Sequence, residues 1–116
     1  MIEQLVARVF SARNVAHREH LKTRSYAQHV ALGSFYEDVI GAIDSVIEAY
    51  QGRYGLIDIP KIEDPRISNV VSYLKDEAEW IEANRDKFAK CPAVLNLVDE
   101  LAAVYLRTNY KLIHLM

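Results

Sequence analysis

Apolar residues recur at three- and four-residue steps in four stretches of the chain. In the first, residues 2–22, Ile2, Leu5, Val6, Val9, Ala12, Ala16 and His20 stack on one helical face. The second opens at Ser25, which forms a Ser-x-x-Gln capping box with Gln28 and so satisfies orphan N–H groups. Its apolar positions are Leu32, Phe35, Tyr36, Val39, Ile40, Ile43, Val46, Ile47 and Tyr50, and Gly52 is its expected stop. Asp64-Pro65 predicts the start of a third helix, as N-cap followed by proline at the first helical position. That helix runs to about Lys90 with Val70, Val71, Leu74, Ala78, Ile81 and Phe88 inward. Cys91-Pro92 predicts a fourth, ending near His114, with Val94, Leu95, Val98, Leu101, Ala102, Tyr105 and Leu112 facing the core.

The connections constrain how these helices assemble. Only a few residues near Thr23 separate the first two, so they fold back antiparallel. Residues 52–64 are the one longer connection, a crossing loop that Leu56, Ile57, Ile59 and Ile62 are expected to hold on the bundle. The prediction is an all-α chain, residues 1–116 forming a single four-helix bundle with almost no strand. The apolar arc of the second helix, counting Tyr26, is wider than one core needs. It therefore predicts that helix two, rather than helix four, carries the main dimer contact, through Phe35 among others.

Composition narrows the function classes. Hydrophobic residues make up 51% and charged residues 26%, which excludes a disordered or collagen-like chain. No run approaches 18 apolar residues, so no membrane partner is expected. The start MIEQLVARVF lacks a basic stretch ahead of an apolar block, so no signal peptide is read there and a cytoplasmic location is expected. The net charge of −2 argues against nucleic-acid binding by bulk electrostatics. The charge is unevenly placed: residues 1–24 carry a net +3, whereas residues 25–51 carry Glu37, Asp38, Asp44 and Glu48 and no Lys or Arg. The plain reading is two solvated faces that attract each other; the sharper one is a carboxylate cluster held for a cation.

Three of the four histidines, His17, His20 and His29, lie in the first two helices. Imidazole suits iron, zinc and copper, and carboxylates suit harder ions. Asp44 and Glu48 are one helical turn apart and adjacent in space. His29 and Asp44, however, are separated by 15 residues of one helix, about 22 Å along its axis. One chain cannot bring them together. Two chains can, if helix two packs antiparallel on its copy about a two-fold axis, so that His17 and His29 of one meet Asp44 and Glu48 of the other.

The spacing of His17, His29, Asp44 and Glu48 resembles the intersubunit ferroxidase motif of the Dps group, the DNA-protection proteins of the ferritin-like superfamily. The motif reads His, twelve on His, four on Asp, eleven on Asp, four on Glu, and Gly33 stands where it has its middle aspartate. The segment SYAQHVALGSFYEDVIGAIDSVIEAYQG is also similar to small Dps-like proteins encoded by bacteriophages. The resemblance covers about residues 10–50. It implies a ferritin-like bundle with a shortened crossing loop, and iron as the metal, with zinc as the alternative. It further implies a homo-oligomer of at least a two-fold dimer and, for a phage protein, the host cytoplasm. Gly33 removes a carboxylate that only Glu37 or Glu19 could replace, with shifted geometry, which implies weak metal binding and at most weak ferroxidase activity. The basic N-terminal tail by which some members bind DNA is absent. The alternative reading is a non-catalytic ferritin-like accessory protein that binds a host protein partner.

Other chemistries have little support. There is no Glu-x-x-His for a di-iron site within one chain. Cys91 reads as a helix cap, the Gly52–Gly55 segment is not a phosphate-binding loop, and Trp80 reads as a packing residue.

Overall fold

A computed structural model of the chain describes residues 1–116 as four α-helices and no strand. They are α1 (Ile2–Lys22), α2 (Tyr26–Tyr54), α3 (Val70–Phe88) and α4 (Pro92–His114). The first and last match the sequence prediction at both ends. At the α1–α2 turn, Ser25 Oγ accepts from Gln28 N at 3.2 Å, half of the predicted capping box. The other half is made differently: Ser25 N donates to Thr23 Oγ1.

α1 packs beside α2 and α3, and α4 also packs beside α2 and α3, which leaves α1/α4 and α2/α3 as the diagonal pairs. Lys90, just past α3, donates its backbone N–H to the hydroxyl of Tyr54, which ends α2. α2 and α3 therefore finish at the same end of the bundle and run parallel. The connection between them must travel the bundle's length, and residues 55–69 do so along α1. Ser11 Oγ donates to the Glu63 carbonyl at 2.7 Å, and Arg18 holds both the Asp64 carboxylate and the Pro65 carbonyl. Fifteen residues reach at most about 50 Å when extended, enough for a molecule whose long axis is 44 Å. The result is a four-helix bundle with one long crossover.

Two predicted boundaries shift. α2 passes Gly52 and ends at Gly55, whose φ of 97° is left-handed and which donates its N–H to Gln51 O. The crossing loop is thus residues 55–69 rather than 52–64, and α3 starts at Val70 rather than at Pro65. Asp64 does not cap because Arg18 occupies its carboxylate. Asn69 caps instead, its Oδ1 accepting from Ser72 N at 3.0 Å. Of the loop residues expected to anchor, Ile57 packs on the core, Ile62 is half-buried, and Leu56 and Ile59 are exposed; Ile67 packs in their stead.

The apolar arc of α2, from which a dimer contact through Phe35 was expected, is taken up within the chain. Leu32, Phe35, Val39, Ile43 and Val46 are buried in the chain's own core, and Phe35 meets Tyr105 edge-on at 4.9 Å. The arc is wide because α2 serves two neighbours, α1 and α4.

Candidate functional site

The α1–α2 hairpin brings its three histidines into one aromatic stack. The His20 and His29 rings lie parallel, 3.7 Å apart, and each bonds the other's backbone. His20 Nδ1 lies 2.6 Å from His29 O, and His29 Nδ1 lies 2.7 Å from His20 O. A carbonyl only accepts, so each Nδ1 carries the proton and donates. In the neutral ring the lone pair is then on Nε2, the arrangement usual for a metal-binding imidazole whose other nitrogen is anchored to a carbonyl. His17 lies flat on Tyr36 at 4.1 Å, and the same Tyr36 meets His20 edge-on at 5.3 Å.

Gly33 makes this stack possible. A Cβ at position 33 would lie 3.0 Å from His20 Cε1 and 3.2 Å from its Nδ1, closer than a side chain normally sits. The position that reads in the sequence as a missing carboxylate is occupied in space by the His20 ring.

Asp44 and Glu48 lie further along α2, and both are exposed. Within the chain no three His, Cys, Asp or Glu side chains come together as a metal-holding group. The two halves of the predicted ligand set thus stay apart in one copy, as the helix geometry requires. Of the two substitutes for the absent aspartate, Glu19 is already near Lys22 at 3.8 Å, whereas Glu37 is exposed and free of any ion pair.

The expected attraction between a basic α1 and an acidic α2 is not how the charges are used. Arg8 pairs with Glu77, Arg18 with Asp64 and Lys22 with Glu19. None of Glu37, Asp38, Asp44 or Glu48 has a cation within 4 Å. Among the basic residues of α1, Arg13 alone lacks a carboxylate partner. Its Nη1 reaches only Asn14 Oδ1, at 3.4 Å, and its Nε is buried with no hydrogen bond.

A second polar cluster went unread in the sequence. Glu77 is only 8% exposed and takes two hydrogen bonds of 2.9 Å from Arg8, whose guanidinium also lies 4.1 Å over the Trp80 ring. Burial and the nearby Glu77 raise the pKa of Tyr73 well above the usual range, and burial does the same for Tyr105, whose hydroxyl has no partner. The only sequence signal was a glutamate at a position that continues α3's inward face, between Leu74 and Ile81. This cluster ties α1 to α3, and Arg8, Tyr73 and Glu77 line a pocket of about 210 Å³ with Ser11 and Glu63. Cys91 sits at the start of α4, where the backbone N–H groups of Val94 and Ala93, together with Arg53, lower its thiol pKa. As expected from the sequence, Cys91 is the N-cap residue of α4.

One protein family, described as a family of unknown function (DUF5856), matches residues 20–112. The chain belongs to this family. The matched stretch begins in the last turn of α1 and ends in the last turn of α4, so it takes in α2, α3 and most of α4, with the His20–His29 pair, Gly33, Asp44 and Glu48, and leaves out most of α1. His17 lies just before it. No curated protein and no solved structure matches the chain.

Proposed function

We propose that this DUF5856 member is a ferritin-like, Dps-like bundle that holds a divalent transition metal between two copies of itself. The ligands are His17 and His29 of one copy with Asp44 and Glu48 of the other. The observation that carries the reading is the anchored His29: its Nδ1–H donates to a carbonyl, which leaves Nε2 as the free donor atom. Two further features support it. The single long crossover between parallel α2 and α3 is the connectivity of ferritin-like bundles. Asp44 and Glu48 are exposed and unpaired, as carboxylates reserved for a second chain would be. Two imidazoles with two carboxylates suit iron, with zinc as the alternative. The metal is held weakly, because the His20 ring fills the space beside Gly33 and no third carboxylate completes the set.

Calorimetry with Zn(II), and with Fe(II) under anaerobic conditions, tests this on the full chain. One ion per subunit is expected. His29→Ala and the Asp44→Asn, Glu48→Gln double variant should each weaken binding at least tenfold while helical content is kept. Absence of metal binding in the wild-type chain overturns the reading.

The alternative reading is a non-catalytic accessory protein that binds a host protein. It is the conclusion if the chain is monomeric both with and without metal.

A further inference from the structure

We propose that Arg13 is the ionic anchor by which a second copy of this chain docks antiparallel on the α1–α2 face, pairing with Glu37 of that copy. The inference rests on the two-fold arrangement of the proposed site but not on a metal being bound.

The register follows from the helix. If His29 of one copy lies opposite Asp44 and Glu48 of the other, the two-fold axis crosses α2 midway between these positions, at about residues 37–38. Glu37, on the face of α2 that carries Asp44 and Glu48, then meets its copy at the axis, and it is exposed with no cation in its own chain. Two carboxylates meeting there repel unless cations arrive with them. The part of α2 around the axis supplies none, since residues 25–52 contain no Lys or Arg.

Arg13 is placed to supply them. It stands one helical turn before His17, on the same face of α1, and the His17 ring lies on Tyr36, the neighbour of Glu37. Arg13 is therefore beside the proposed axis. It is also the one basic side chain of α1 without a carboxylate partner, and its exposed Nη1 makes only a long bond, 3.4 Å, to Asn14 Oδ1. A guanidinium stays charged at any relevant pH and presents a fork that matches a carboxylate. Each copy then contributes one Arg13 and one Glu37, so the contact is made twice. Gly41, three residues past the axis and exposed, has nothing within 4 Å of where a Cβ would lie, which leaves room for close approach of a second helix.

Light scattering of the full chain in chelator and low salt tests this. The wild-type chain is expected to be a dimer or a multiple of one. Arg13→Glu and Glu37→Arg should each halve the mass of that dimer unit, and the double charge swap should restore it. Should Arg13→Glu fail to fold, as judged by its circular dichroism, Glu37→Arg decides the matter, because that side chain is exposed. A wild-type mass retained in either single variant, no restoration in the swap, or a monomeric wild type in chelator overturns the proposal. A dimer seen only with Zn(II) overturns this proposal and leaves the metal reading standing. A dimer in chelator with no Zn(II) binding does the reverse.

Discussion

Two glycines of α2 look alike in the sequence and differ in space. A mid-helix glycine costs about 1 kcal/mol relative to alanine. Gly41 faces open space, so Gly41→Ala should stabilise the monomeric unit by about 0.5–1 kcal/mol. At Gly33 the new methyl group must push back a His20 ring held by a hydrogen bond and a stack, so Gly33→Ala should gain little or lose stability. Urea unfolding of both variants checks the contrast. Repeating Gly33→Ala in a His20→Ala background should recover the gain, and equal effects in both backgrounds would refute the role given to the ring. The histidines themselves were legible as a cluster, because the three- and nine-residue spacings place them at one helical hairpin. Their stacking order and the reciprocal carbonyl bonds were not, since these depend on how the two helices approach across the turn.

At the scale of the helix, local signals worked where they had no competitor. Ser25 and Pro92 open helices as their positions predict. Asp64-Pro65 carries an equally good start signal and opens nothing, because Arg18, 46 residues earlier, takes the carboxylate. The helix waits for Asn69. Asn69→Ala should therefore cost about 1 kcal/mol in thermal or urea unfolding. Asp64→Ala should cost less, since it removes only an exposed ion pair. The reverse order would place the functional cap at Asp64. The reach of α2 past Gly52 has the same origin: Gly52 permits a stop, but Tyr54, further on, accepts from Lys90 N.

Over the whole molecule, long-range ion pairs tie the crossover and α4 to the helices. The hydrogen bond from Arg18 holds Asp64 below the ordinary carboxylate range, and that from Arg85 does the same for Asp99. A lowered folded pKa means the unfolded chain binds protons first. The stabilisation is present above about pH 4 and is lost as pH falls through the lowered folded values. Both groups are solvent-exposed, so the effect is small. The melting temperature should fall below about pH 4, and the Asp64→Asn, Asp99→Asn double variant should show a shallower acid limb. An unchanged limb would remove these two pairs from the account. Glu37, Asp44 and Glu48 of α2 have no ion pair within one chain, which is why a second copy is proposed for them.

Four helices, their inward faces and two of the three connections could be read directly from the chain, because periodicity, caps and breakers act over a few residues and agree with one another. That one chain could not close the His17, His29, Asp44 and Glu48 set was equally readable, since a helix fixes its rise per residue. What the tertiary structure alone decided was which groups are already spoken for. It buried Phe35 against Tyr105, gave Asp64 to Arg18 and Glu77 to Arg8, and laid His20 over Gly33. Each of these pairs is built by helices or loops that meet only when the bundle closes. A short window of sequence shows a side chain's chemistry and its face, but the partner that satisfies or displaces it arrives from elsewhere in the fold.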